Sequence, residues 1–143
     1  MSGAAAALLA RRDHPRAALE RRLLEQGYEA AAVAALLDEL VGQRVVDDAR
    51  YAERYVGYHA GRGLGPERIR RELADLGVAA DVVRAALESG PDWAALARAQ
   101  RVRRFGSGAP ASWAEKGRQA RFLQYRGFST DHIRSALGAD DLD

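Results

Sequence analysis

Gly27, Gly77 and Gly127 stand 50 residues apart in a chain of 143, and the residues around them recur in step. Leu23, Leu73 and Leu123 lie four positions before each glycine, and Arg21, Arg71 and Arg121 lie six before. An apolar residue follows directly (Tyr28, Val78, Phe128), Val33, Val83 and Ile133 come six later, and Leu37, Leu87 and Leu137 ten later. Six columns agreeing at one period mark three tandem copies of one supersecondary unit. That restricts the chain to architectures in which neighbouring units bury one another's apolar faces.

Each unit reads as helical. Ile69, Leu73 and Leu76 follow the i, i+4, i+7 pattern of an amphipathic helix, and Val33, Leu36, Leu37 and Leu40 do the same beyond a repeat glycine. The glycine then closes the helix as a left-handed residue, the conformation that costs every other residue a Cβ clash. Pro15 and Pro66 suit a first helical position, Asp47-Asp48 can cap a helix before Tyr51, and Ser129 can cap one after Gly127. A further helix precedes each glycine-ended one: Asp48 to Ala60 in the second copy, Trp93 to Phe105 in the third, and only Ala5 to Arg12 in the first. That last piece is too short to hold a helix alone. Gly61 to Gly65 and Gly106 to Ala111 are the expected loops. No segment alternates as a strand does. The expectation is all-α, three tandem three-helix repeats at residues 1–45 (shortened at its start), 46–90 and 91–143, the third ending in an acidic tail.

Composition supports this and removes several chemistries. Thirty alanines and 7% aromatics favour closely packed helices. The absence of cysteine excludes disulfides, thiol nucleophiles and thiolate-bound zinc. His14, His59 and His132 are far apart and in no metal-ligand spacing, so no metal is expected. Gly61-Arg62-Gly63-Leu64-Gly65-Pro66 lacks the strand before it and the GK[ST] ending of a phosphate loop; a flexible hinge is the plainer reading. No carboxylate pair lies in an apolar setting suited to acid–base work. Neither catalysis nor a cofactor is expected. The apolar run at the N-terminus precedes Arg11-Arg12 instead of following a basic segment, so it does not read as a signal peptide, and no apolar run reaches membrane-spanning length. A cytoplasmic, monomeric protein without membrane contact is expected.

Charge is where function shows. Net charge is only +2, but 21 of the 22 basic residues are arginine, the side chain that grips phosphate or carboxylate bidentately. Residues 98–134 hold nine basic groups and two acidic ones. At 100° per residue Arg71 lies about 200° from Ile69, so it points away from the core, and Arg21 and Arg121 share that position. Three such arginines on stacked repeats can form a stripe, with Arg68, Arg70, Arg118 and Arg126 beside it. Arg101, Arg103 and Arg104 form a second basic cluster suited to DNA. A solvated helix face is the competing account. Of the aromatics among these arginines, Phe122 or Leu123 and Phe128 are assigned to the core, which leaves Tyr125 free to stack on a base.

Two stretches carry a family resemblance: Asp47-Asp48-Ala49-Arg50-Tyr51-Ala52, and Gly65-Pro66-Glu67-Arg68-Ile69-Arg70-Arg71-Glu72-Leu73 running on to Gly77-Val78. A third is Arg121-Phe122-Leu123-Gln124-Tyr125-Arg126-Gly127-Phe128 with Ile133. In these residues, over roughly positions 8 to 138, the chain resembles the RecX family, regulators of the RecA recombinase. Just before each repeat glycine, where Lys or Arg is usual, the chain holds Gln26, Leu76 and Arg126, so it departs from the family pattern at the first two. The resemblance implies a curved, elongated array lying in the groove of the RecA filament on single-stranded DNA. It implies a negative modulator of ATP hydrolysis, strand exchange and co-protease activity that is not an enzyme and binds DNA weakly. Read from the residues alone, a nucleic-acid-binding repeat module acting without RecA remains the alternative, and a helical scaffold for another protein a third.

Overall fold

The computed structural model describes residues 1–138, and among them it holds nine α-helices and no strand. The first repeat is α1 (Ser2–Arg11), α2 (Arg16–Glu25) and α3 (Ala30–Gly42). The second is α4 (Asp48–Gly61), α5 (Pro66–Asp75) and α6 (Ala80–Glu88), and the third is α7 (Trp93–Phe105), α8 (Trp113–Arg126) and α9 (Thr130–Ala136). The acidic tail expected beyond Gly138 lies outside the described residues.

One hydrogen-bond motif explains three of the repeating columns. Gly27, Gly77 and Gly127 have φ of 93°, 85° and 100°. Their amides donate to Leu24, Ala74 and Gln124, while the next residue's amide reaches back to Leu23, Leu73 and Leu123. This closure brings the residue after the glycine against the leucine four before it. Leu73 with Val78 and Leu123 with Phe128 are accordingly buried together in the second and third cores. Each repeat has its own core: around Leu19, Leu23, Val33 and Leu37 in the first, Val56, Ile69, Leu73 and Val83 in the second, and Ala97, Leu123 and Phe128 in the third. Trp93 packs against both the second and third cores and donates its indole N–H to the Leu87 carbonyl. The shortened α1 does form, putting Ala5 and Leu8 into the first core. It packs on α2, whereas α4 and α7 lie mainly along the third helix of their own repeats.

Six of the helix starts divide into two kinds. The opening helices α4 and α7, and also α8 and α9, are capped by their own chain: Asp47, Asp92, Ser112 and Ser129 each accept the amide three residues on. The glycine-ended helices α2 and α5 have no side-chain cap because the next repeat serves as one. The Arg16 amide donates to Asp48 at 2.8 Å, and the Gly65 and Glu67 amides donate to the carbonyls of Arg126 and Gly127 at 2.8 and 2.9 Å. Pro66 is the first residue of α5 as expected, but Pro15 sits one position earlier than expected, just before α2. Proline at the first position would have removed the Arg16 amide that Asp48 binds.

The same contacts overturn the hinge reading of Gly61 to Gly65. Gly63, Leu64, Gly65 and Pro66 are buried, and the Arg126 guanidinium donates to the carbonyls of Arg62 (2.6 Å) and Gly63 (3.3 Å). The segment is clamped on both sides by the third repeat. Its glycines permit close approach: a Cβ at Gly65 would collide with the Gly127 carbonyl, and one at Gly127 with Arg68.

Candidate interaction face at the joint of the second and third repeats

Docking the N-terminal turn of α5 onto Gly127 sets α5 across a groove from α8. Ile69 and Leu73 point into the second core and Leu123 into the third, so the remaining faces of both helices line the valley between them. Arg68 and Arg71 from α5 and Arg121, Gln124 and Tyr125 from α8 line a groove of about 570 Å³. A second groove of about 490 Å³ continues from Arg121 along α8 and α7, lined by Arg104, Phe105, Arg118 and Phe122. The two share Arg121, so the basic surface is continuous.

Its side chains are held from behind. Phe105 and Phe122 meet edge to face at 5.4 Å, with Arg104 over the Phe122 ring and Arg118 over the Phe105 ring, each at 5.7 Å. Such cation–π contacts fix a guanidinium in place without using up its N–H donors. Arg118 also pairs with Glu115 at 2.7 Å; this bond, followed by one from Gln119, holds the Glu115 carboxyl below its ordinary range. Arg68 lies 3.8 Å from Glu72, which accepts the Tyr55 hydroxyl at 3.0 Å. Burial, and then that bond, push the Tyr55 phenol up. Tyr125 is 82% exposed, its ring standing at the edge of the first groove, while Phe128 and Leu123 are buried and Phe122 is half-buried as expected.

The expected site residues separate into four groups. Arg68, Arg71, Arg121, Arg104 and Arg118 are brought together in the two grooves. Arg70 is exposed but turns to the other flank of α5, where it pairs with Glu67 at 3.3 Å. Arg21 and Arg103 are exposed on α2 and α7 and line neither groove, so the stripe joins two repeats, not three. The remaining two require correction. Arg101 is 8% exposed, its guanidinium donating to the Gly108 carbonyl and the Gln119 amide oxygen, both at 3.1 Å. It braces the loop between α7 and α8 and presents nothing to DNA. Its position was readable: it falls four residues after the buried Ala97 and eight after Trp93, on the inward face of α7. Arg126 spends its guanidinium on the Arg62 and Gly63 carbonyls and serves the joint. Missed altogether was the Phe105–Phe122 clamp, for which the only signal was two aromatics among arginines. Trp113 was missed as well; it is 85% exposed beside Lys116, and nothing in the sequence separated it from a core tryptophan. Among the described residues no His, Asp and Glu are grouped as a metal site, and no helix is long and apolar enough to cross a membrane.

Fold and face together define a class: a tandem array of three-helix modules that presents a cationic valley at an inter-module joint. Three family models match in sequence, described as the first, second and third three-helix domains of RecX, over residues 3–40, 47–87 and 92–137. A regulatory protein RecX from Halorhodospira halophila is 45% identical over 98% of this chain and 88% of its own length. The regulatory protein RecX of Pseudomonas fluorescens is 40% identical, covering 95% of this chain and 88% of its own length. The crystal structure of RecX from Lactobacillus salivarius superposes with a TM-score of 0.84 over 99% of this chain and 94% of that one; at 21% identity it speaks for the fold alone. The chain belongs to the RecX family of regulatory proteins.

Proposed function

We propose that the valley between α5 and α8 seats this protein, as a cytoplasmic monomer, on RecA filaments formed on single-stranded DNA and lowers their activity in ATP hydrolysis, strand exchange and co-protease function. The observation carrying this reading is the convergence of Arg71 and Arg121, equivalent residues of successive repeats, in one groove with Arg68 and Tyr125. Arginines at that spacing meet carboxylates or phosphates spread along a repeating partner with charge-assisted, bidentate bonds. The protein acts by binding, with no catalytic step of its own.

The test is the steady-state ATPase rate of preassembled RecA–single-stranded DNA filaments as the protein is added. We expect inhibition at substoichiometric amounts, and the double variant R71E/R121E to need about tenfold more protein or higher for the same effect. Both residues are exposed and neither is part of a joint bond, so its circular dichroism should match that of the parent. Undiminished inhibition by the folded double variant would remove the valley from the mechanism. Tyr125 favours a second reading, a DNA-binding module independent of RecA. In that case affinity for oligothymidylate falls with salt at a log–log slope near −0.7 per phosphate neutralised, and Tyr125→Ala weakens it.

A further inference from the structure

The valley does not end at Arg71. On the other flank of α5 a groove lined by Glu67, Arg70, Arg71, Gln124 and the start of α9 continues it. That groove shares Glu67, Arg70 and Ser129 with a neighbouring cleft of about 630 Å³. This cleft changes character: Pro66, Ala74, Val83, Leu87, Pro91 and Trp93 form its walls, and Glu67, Glu88, Arg70, Arg84 and the His132 ring are its ionisable groups. Its volume lies in the range of about 300–1,000 Å³ of pockets that enclose apolar ligands. The trough as a whole therefore runs from an apolar pocket at Trp93 to a cationic end at Arg68, Arg71 and Arg121.

We infer that this trough is a docking site for an extended acidic peptide segment of a partner protein, its apolar anchor in the pocket beside Trp93 and its carboxylates on the arginines beyond. Charge complementarity selects this occupant. The trough lining carries five arginines (Arg68, Arg70, Arg71, Arg84, Arg121) against two glutamates, Glu67 and Glu88, and Glu67 is already paired with Arg70. A nucleic-acid strand following the same path could stack a base on Trp93, but it would bring its phosphates to Glu67 and Glu88 and has no aliphatic group for Val83 and Leu87. An acidic peptide has side chains for both ends. This goes beyond the arginine-face reading and is tested without RecA.

Trp93 is the built-in reporter. Trp113→Phe, at an exposed position, leaves Trp93 as the only tryptophan of the two. Into that protein we would titrate a synthetic peptide of two leucines followed by six aspartates, the same peptide with glycines for the leucines, and oligothymidylate. The expected result is a saturable change in Trp93 emission with the leucine peptide, and binding at least about tenfold weaker with the glycine peptide. Ala74→Glu, an exposed helix position in the pocket wall, should abolish the signal while the circular dichroism stays unchanged. Equal binding of both peptides, no response to either at millimolar concentration, or tighter binding of oligothymidylate through Trp93 would each overturn the proposal. Filament inhibition that survives A74E but not R71E/R121E would leave the arginine face standing and confine the failure to the pocket.

Discussion

The joint between the first and second repeats and the joint between the second and third are built on one plan with different bonds. In each, the N-terminal turn of a glycine-ended helix enters the notch left by the next repeat's glycine: Ala17 meets Gly77, and Arg68 meets Gly127. The first joint is then secured by side chains, Asp48 accepting the Arg16 amide and Arg54 pairing with Asp13 at 2.7 Å across an exposed surface. The second is secured by backbone, two amides of the α5 start on the Arg126 and Gly127 carbonyls, with Arg126 returning two bonds to Arg62 and Gly63. Carboxylate and ion-pair contacts at a surface are screened by salt and tolerate movement. Neutral backbone pairs are not screened by salt, and breaking the one made by the buried Gly65 amide strands that amide away from water. The grooves that carry the proposed function lie on the second joint, where the arginines' mutual placement is fixed most tightly.

The repeat glycines offer the sharpest way to break this comparison. All three hold positive φ, so alanine costs about 1 kcal/mol at each from conformation alone. At Gly27 nothing lies within 4 Å of an added Cβ, so nothing further is lost. At Gly77 the methyl meets the Ala17 side chain, and at Gly127 it meets Arg68 including its backbone nitrogen, which cannot rotate away. Thermal unfolding should therefore rank the losses Gly127→Ala, Gly77→Ala, Gly27→Ala. The mildest should lower the midpoint by about 2–4 °C for a domain of this size and the most severe several times that. Three equal shifts would mean that the notches add nothing to joint strength.

A smaller effect separates the two kinds of bond. Arg126→Ala leaves the Arg62 and Gly63 carbonyls without their charged donor and should cost about 2 kcal/mol, with little dependence on salt. Asp48→Ala at the first joint should cost about 1 kcal/mol, and Arg54→Ala under about 1 kcal/mol, the latter vanishing in high salt. Denaturant midpoints at low and high salt measure all three; equal salt sensitivity at the two joints would contradict the distinction.

The smallest expected effect is that of pH. Burial, the largest cause in each case, lowers the pKa of His14 beside the first joint and of His59 stacked 4.1 Å from Tyr55 in the second repeat. The unfolded chain takes up protons on these rings near the ordinary 6.5 while the folded chain keeps them neutral. Their contribution is therefore complete above that value and is lost as pH falls below it toward the folded pKa. The melting midpoint should decline between pH 7.5 and 5, and less so in His14→Gln and His59→Gln. A decline that both variants leave unchanged would place the titration elsewhere.

What could be read in advance follows from what is local. The leucine, the glycine and the apolar residue after it record one hydrogen-bonded helix ending, made within six residues, so three copies of it announce themselves in any order of folding. Caps such as Asp47 and Ser129 are equally short-range. Arg71 and Arg121 could be assigned outward from the helical angle, and Tyr125 from the burial of Leu123 and Phe128 on either side of it. Arg101 and Arg126 were misread for one common reason. Charge pattern marks a residue as able to meet an anion, but each of these meets carbonyl or amide oxygens that arrive from 7 to 64 positions away.

The sequence by itself determined the repeat, the three helices of each unit, the conformation of its glycines and the outward arginines, because each is decided by neighbours within a helical turn or two. Only the tertiary structure decided which arginines work together. That depends on where α5 comes to rest against α8, and the resting place is set by a notch at Gly127 and by backbone bonds that any sequence of that shape could make. Backbone groups are the same at every position, so their pairing leaves no mark in the residues. For that reason the clamp at Gly63, the buried Arg101 and the trough from Trp93 to Arg121 appear only once the repeats are docked.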